Sequence, residues 1–344
     1  MSQRRVSLIL FTIVLGVLQP KQAASSSVAS PLIASVELSG GKPGIGFDDL
    51  QWSADIGRVI VPGGRSGNIY LIDPDSLAVT AIGGFSVAAS FEGGHDFGVT
   101  SAADAEGFLY ATDRTAGQLV QIDLKTKARL NVRPLRGHPD YVRYVANTRE
   151  LWVTEPGSAH IEVVALGHNR PPSLTSITLL SVRGGPESLV IDAGHKRAYT
   201  NSFAGSTFAI DVSTREIVNQ RRNGCVRSLG IAIDVERQRI FVGCAVGEIT
   251  EFAAIGGELI SRRTVGPSID IIAYDAIHQR VVAASSAKHQ LDVVKVSTGG
   301  ELDTEYAVPL ASTASCVVTD AKGRAWVCDP SHGRVLRVTL PNGT

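Results

Sequence analysis

The chain predicts an all-β fold: a seven-bladed β-propeller of four-stranded antiparallel blades, closed by an N-terminal strand at about residues 32–38 in the last blade. Three observations predict it. One short text recurs seven times: an apolar run ending in an acid or Asn, a turn, a second run around an aromatic, a polar turn and a third run. The first runs end at Asp55, Asp104, Asn147, Asp192, Asp234, Asp275 and Asp320, at steps of 41 to 49 residues, and a mean period of about 44 belongs to propellers. Units of that length rich in strand formers cannot bury their own faces, so they must stack, and closing the stack into a ring removes the open sheet edges. The third observation is an imbalance at the ends, where the last repeat lacks a run and a spare one precedes the first.

At the N-terminus, Arg4 and Arg5 precede an apolar stretch, Val6 to Leu18, which is followed by small residues around Ala24. Its 13 residues fall short of the ~20 a bilayer-spanning helix needs, so residues 1–24 read as a secretory signal. Residues 25–31, rich in Ser and Ala, read as a disordered linker, and 32–340 as a single propeller domain.

In the fourth repeat the runs Glu187 to Asp192, Arg197 to Asn201, Thr207 to Asp211 and Glu216 to Gln220 are rich in β-branched and aromatic residues, and four strands make a blade. Asp73-Pro-Asp-Ser76, Asp123-Leu-Lys-Thr126 and Asp211-Val-Ser-Thr214 are turn signatures, because an Asp side chain bonds backbone N–H groups two residues on. They are expected to join third to fourth strands. Gly83 to Gly94 and Gly167 to Ser173 are surface insertions. The last repeat supplies only Ser315 to Thr319, Arg324 to Cys328 and Arg334 to Thr339, and Leu32 to Leu38 is expected to complete it.

Lys plus Arg equals Asp plus Glu, 33 against 33, so no net charge draws the chain to nucleic acid or to an anionic membrane. Export without membrane insertion, to the periplasm or beyond, and a monomeric state are the expectations. Cys316 and Cys328 flank the turn Ala321-Lys322-Gly323, and Cys225 and Cys244 flank the turn after Asp234. In an exported chain these cross-strand positions suggest two disulfides within blades. Buried free thiols are the alternative.

In a propeller, the loops leading into each first strand converge at one mouth of the channel, together with the loops from second to third strands. Their polar residues here are Asp48, His95, Asp96, His138, Asp140, Arg143, Glu187, Arg227 and Asp270, with Asp113, Glu155, Asn201 and Asp329 after the second strands. From these, His95, Asp96, Arg143, Glu187, Arg227 and Asp270 are the candidate ligand-binding residues, with interblade salt bridges the equal alternative for Arg143, Glu187, Arg227 and Asp270. The four after second strands are better read as turn and backbone partners. His95 and His138 each follow a Gly at a repeat start and, with a neighbouring Asp, form the weak candidate set for a divalent metal. No other cofactor is expected, and no haem motif occurs. G-x-S-x-G, H-E-x-x-H and P-loop patterns are also missing from the text, so no catalytic residue is assigned.

Tyr144-Val-Ala-Asn147, Leu151-Trp-Val-Thr154, Arg197-Ala-Tyr-Thr-Asn201 and Phe208-Ala-Ile-Asp-Val-Ser-Thr214 resemble the YVTN-type propeller repeats of bacterial exported proteins, over residues 42 to 340. Pro139 to Val145, Trp152 to Pro156, Gly184 to Asp192 and Trp326 to Pro330 are similar to segments of a YncE-like branch. The resemblance implies seven blades, export and a binding role, without a reaction to carry over. Val61-Pro-Gly-Gly64 in the first repeat and Ala283-Ala-Ser-Ser286 in the sixth depart from its second-strand ending. The reading is therefore an exported binding or scaffold module that presents a polar funnel to a small molecule, an envelope component or a protein. The alternative is a metal-dependent hydrolase or lactonase at the channel mouth.

Overall fold

The computed structural model describes residues 31–311 and 313–341. The signal segment and all but the last residue of the linker lie outside them. Among the described residues no helix is long and apolar enough to cross a membrane.

Seven four-stranded antiparallel sheets form a ring. The first strand of the chain, β1 (Leu32–Glu37), stands apart in sequence from its sheet. Blade 1 holds β2 (Gln51–Ser53), β3 (Arg58–Pro62), β4 (Ile69–Ile72) and β5 (Val79–Ile82); blade 2 holds β6 (Val99–Ala105), β7 (Phe108–Asp113), β8 (Gln118–Asp123) and β9 (Arg129–Pro134). Blade 3 is β10 (Val142–Val145), β11 (Glu150–Glu155), β12 (His160–Leu166) and β13 (Leu174–Ser181); blade 4 is β14 (Leu189–Asp192), β15 (Arg197–Ser202), β16 (Ser206–Asp211) and β17 (Glu216–Arg222). Blade 5 is β18 (Ser228–Asp234), β19 (Arg239–Cys244), β20 (Glu248–Ala253) and β21 (Leu259–Thr264); blade 6 is β22 (Ile272–Asp275), β23 (Arg280–Ser285), β24 (Gln290–Val296) and β25 (Leu302–Pro309). Blade 7 runs β26 (Val317–Thr319), β27 (Ala325–Asp329), β28 (Arg334–Thr339) and then β1, in that order across the sheet.

The closure follows the expectation from the sequence. β1 pairs antiparallel with β28 in a register from Leu32 opposite Thr339 to Glu37 opposite Arg334, and an Arg334–Glu37 ion pair of 3.3 Å marks its end.

Burial explains the strand texts. Second strands such as β7 and β11 are buried at every position, whereas fourth strands such as β9 and β17 are almost wholly exposed. A strand covered on both faces by neighbouring blades must be a near-continuous apolar run, while the rim strand can be polar. Wholly buried aromatic rings sit in the inner strands of six blades: Tyr70, Tyr110, Trp152, Phe208, Phe241 and Trp326. The sixth blade packs Val281, Val282 and two alanines in β23 instead.

The acids that end first runs also have a local reason. Asp234 Oδ1 accepts from the Glu236 and Arg237 amides at 3.1 and 3.0 Å, and Asp275 and Asp320 hold their turns in the same way. Between third and fourth strands, Asp73, Asp123 and Asp211 accept from amides two and three residues on. The repeated text is thus turn chemistry.

Both cysteine pairs lie at disulfide distance, with Cα separations of 5.2 Å for Cys225–Cys244 and 5.6 Å for Cys316–Cys328. Cys316, the residue just before β26, faces Cys328 of β27, whose N–H donates to the Cys316 carbonyl at 3.2 Å. Cys225 precedes β18, where Ser228 opposes Cys244, so that bridge ties a leading loop to the end of a second strand.

Candidate functional site

Each blade supplies one residue, one to four positions before its first strand, to a common cavity of about 380 Å³. In blade order these are Asp48, His95, Asp140, Glu187, Arg227, Asp270 and Ser315. Tyr141, Phe203, Leu229 and Ile269 give it apolar wall. A pleated strand must start at the channel, so the residue just ahead of it lies at the mouth, and seven such residues converge.

Two features fix the loops that carry Asp48 and His95. Arg65, only 6 % exposed, donates to the carbonyls of Gly40, Gly41 and Gly44 on one loop and of Ala88 on the other. Gly46 lets the two backbones touch, since a Cβ there would stand 2.1 Å from the Gly94 carbonyl oxygen and 3.0 Å from His95 Cα.

Four carboxylates therefore share one small space with an imidazole and a guanidinium. His95 Nδ1 lies 3.4 Å from Asp48 Oδ2, and its Nε2 lies 3.5 Å from Asp270 Oδ2. The charge of Asp48, with smaller help from Asp270 and Asp140, raises the His95 pKa to about 10. Burial pushes Asp270 up to about 6, against the pull of His95. Burial, followed by the charge of Asp270, pushes Glu187 up to about 7. Asp140 is raised well above the carboxylate range, first by burial and then by Asp48, although it pairs with Arg114. At the rim, the Arg227 guanidinium stacks 4.9 Å from the Phe203 ring centroid, a cation–π contact.

The structure brings together His95, Glu187, Arg227 and Asp270 of the sequence candidates and separates the others. Asp96 is 77 % exposed and pairs with Arg114 at 3.0 Å. Arg143 belongs to β10 and lies deeper, in the channel lined by first strands, where it grips Asp49 with two bonds of 2.6 and 2.8 Å. Asp49 also accepts from Gln51 and Ser101, so one buried carboxylate joins blades 1, 2 and 3. His138 is exposed, with Nδ1 3.2 Å from the Arg114 carbonyl oxygen. As expected for turn and backbone partners, Asp113 accepts from the Ser86 and Ala116 amides and Asn201 donates to the Leu229 and Gly230 carbonyls. Glu155 and Asp329 pair with His160 and Arg334.

Arg65 is not among the residues the repeat pattern picks out, although the sequence carries a signal for it. It directly follows Val61-Pro-Gly-Gly64, the departure from the repeat text in the first blade. Asp48 and Asp140 were visible as leading-loop acids, but nothing in a single sequence ranks them above Asp96.

No protein-family model matches the chain, and no curated protein does. Solved structures of similar fold include a streptogramin B lyase, with a TM-score of 0.71 at 13 % identity over 92 % of this chain and 100 % of that one. A chain of a mitotic checkpoint complex gives 0.73 at 14 % identity over 98 % and 100 %. A hydrazine synthase of Kuenenia stuttgartiensis gives 0.70 at 13 % identity over 88 % and 97 %. At such identities the likeness concerns the fold.

Proposed function

We propose that this protein is an exported binding propeller of the YVTN type, YncE-like, that captures a cationic group of a polar ligand in the acidic cavity at its channel mouth. The observation that carries the reading is the convergence of Asp48, Asp140, Glu187 and Asp270 from four separate blades around one imidazole. Crowded, half-desolvated carboxylates repel one another and hold protons above their usual range, and an incoming cation relieves both costs. Arg227 over Phe203 would orient the rest of the ligand at the rim. Export is supported by the signal-like residues 1–24 and by two cysteine pairs at disulfide distance. The balanced charge favours no nucleic-acid partner.

Metal-dependent hydrolysis is the second reading, favoured by one imidazole and two carboxylates that converge, a set able to activate water on a metal. The streptogramin B lyase likeness lends no reaction, because it extends only to the fold.

Thermal unfolding of the full-length mature protein near pH 7.5, with spermidine, zinc chloride or citrate as probes, tests the proposal. At least one of the two cations should raise the midpoint by about 2 °C or more, and Glu187→Gln/Asp270→Asn should abolish the effect. Stabilisation by citrate alone, or equal shifts in the double variant, would overturn it.

A further inference from the structure

We propose that Asp48, His95 and Asp270 together hold one divalent first-row transition-metal ion, of the zinc class. The inference rests on the cation-binding reading of the cavity and narrows it. One ligand atom from each of the three residues lies within 4.8 Å of the others. Asp48 Oδ2 lies 3.4 Å from His95 Nδ1, close to the separation of about 3.4 Å between neighbouring ligands that each stand about 2.1 Å from a tetrahedral ion, while the 3.5 Å contact of Asp270 Oδ2 is to Nε2 of the same ring, so Asp270 joins the set only within the 4.8 Å span.

A second observation is independent of the clustering. Asp48 is only 2 % exposed, and its Oδ2, like the His95 Nδ1 it faces, is buried without a hydrogen-bond partner among the described residues. Asp48 Oδ2 and His95 Nδ1 meet as an ion pair at 3.4 Å without a hydrogen bond, so a carboxylate oxygen and a ring nitrogen stand face to face with their bonding capacity unused. An ion that takes the place of a ring proton there satisfies both atoms. The three residues come from blades 1, 2 and 6, and each is held by its backbone. Gly46 seats the His95 loop, Asp49 donates to the Thr100 carbonyl at 3.2 Å, and Ile271 donates to the Ser315 carbonyl at 2.9 Å. Hard cations such as calcium take six or more oxygens, whereas imidazole with two carboxylates suits zinc and its neighbours. A fourth position then faces the cavity, on the side lined by Glu187 and Arg227, for water or for an oxygen of the ligand.

Cobalt(II) is the probe, because its visible absorption reports both stoichiometry and tetrahedral geometry, with zinc as the competitor. The full-length mature protein should take up one equivalent with an intense tetrahedral spectrum that zinc displaces. Asp270→Asn and Asp48→Asn should each weaken uptake at least tenfold, and His138→Ala should leave it unchanged. Circular dichroism of each variant separates loss of a ligand from loss of fold, and Asp270→Asn, the more exposed position, serves if Asp48→Asn unfolds. Uptake no greater than that of a folded Asp48→Asn/Asp270→Asn protein overturns the metal. If spermidine still stabilises the wild type in that event, the acidic cavity stands without it. If spermidine also fails, the cation-binding reading falls too.

Discussion

Glu187 shows how burial at the mouth turns into a measurable property. Its pKa, raised to about 7 by burial and by Asp270, means that the native state keeps its proton after the unfolded state has released it. Stability from this group is therefore present below about pH 4.5, is lost as pH rises from there to about 7, and stays lost above. Partial exposure reduces the effect below the full shift. Glu187→Gln, without metal or ligand, should be more stable than wild type by about 1 kcal/mol at pH 8 and equal to it at pH 4, as read by thermal unfolding. A constant difference at both pH values would contradict the raised pKa. Arg65 offers a second residue-level test, since its buried guanidinium donates to four carbonyls on two loops. Arg65→Met should cost about 2–4 kcal/mol and weaken cation binding as His95 shifts; retained binding would show that other contacts place the loop. At this scale the sequence was legible by position but not by depth. Glu187 and Asp270 precede their strands and reach the mouth, whereas Arg143, the second residue of β10, is carried down the channel to Asp49. A one-dimensional text locates the start of a strand only to within a residue or two, and that uncertainty is enough to move a side chain from one chamber to the other.

β1 was legible as an element because the seventh repeat ran out of strands. Its burial pattern is that of a rim strand, exposed except at Val36 and half-buried Ala34, so its worth lies mainly in backbone bonds to β28. Val36→Asp places a charge against the core at a residue 4 % exposed and should destabilise the fold by about 3 kcal/mol or more. The same change at Ile33, 45 % exposed, should cost far less. Equal effects would mean that β1 does not close the ring. The cysteines are legible in the same way. Cys316 and Cys328 sit symmetrically about a turn, with Cys316 one residue before β26, but Cys225 falls three residues before β18, whose register shifts before Ile231. Under oxidising conditions, Cys225→Ala/Cys244→Ala should lower stability by about 3 kcal/mol, as expected for a loop of 19 residues. No loss, with free thiols in the parent protein, would show that the pair stays reduced.

For the whole molecule, the repeat period encoded the ring, and the ring determines that one residue per blade meets at the mouth. Which seven residues meet, and that four are acids, depends on loop lengths that no period describes. The long Gly83 to Gly94 insertion is the clearest case, since it carries His95 across to Asp48 and Asp270. The central claim is that seven leading loops build one crowded acidic chamber that accepts a cation. Carboxyl ¹³C NMR of Glu187 across a pH titration, in the wild type with and without a cation probe, tests it most directly. The account predicts a midpoint near 7 that falls when spermidine or zinc is added. A midpoint near the ordinary glutamate value of about 4.3, unmoved by either probe, would contradict it.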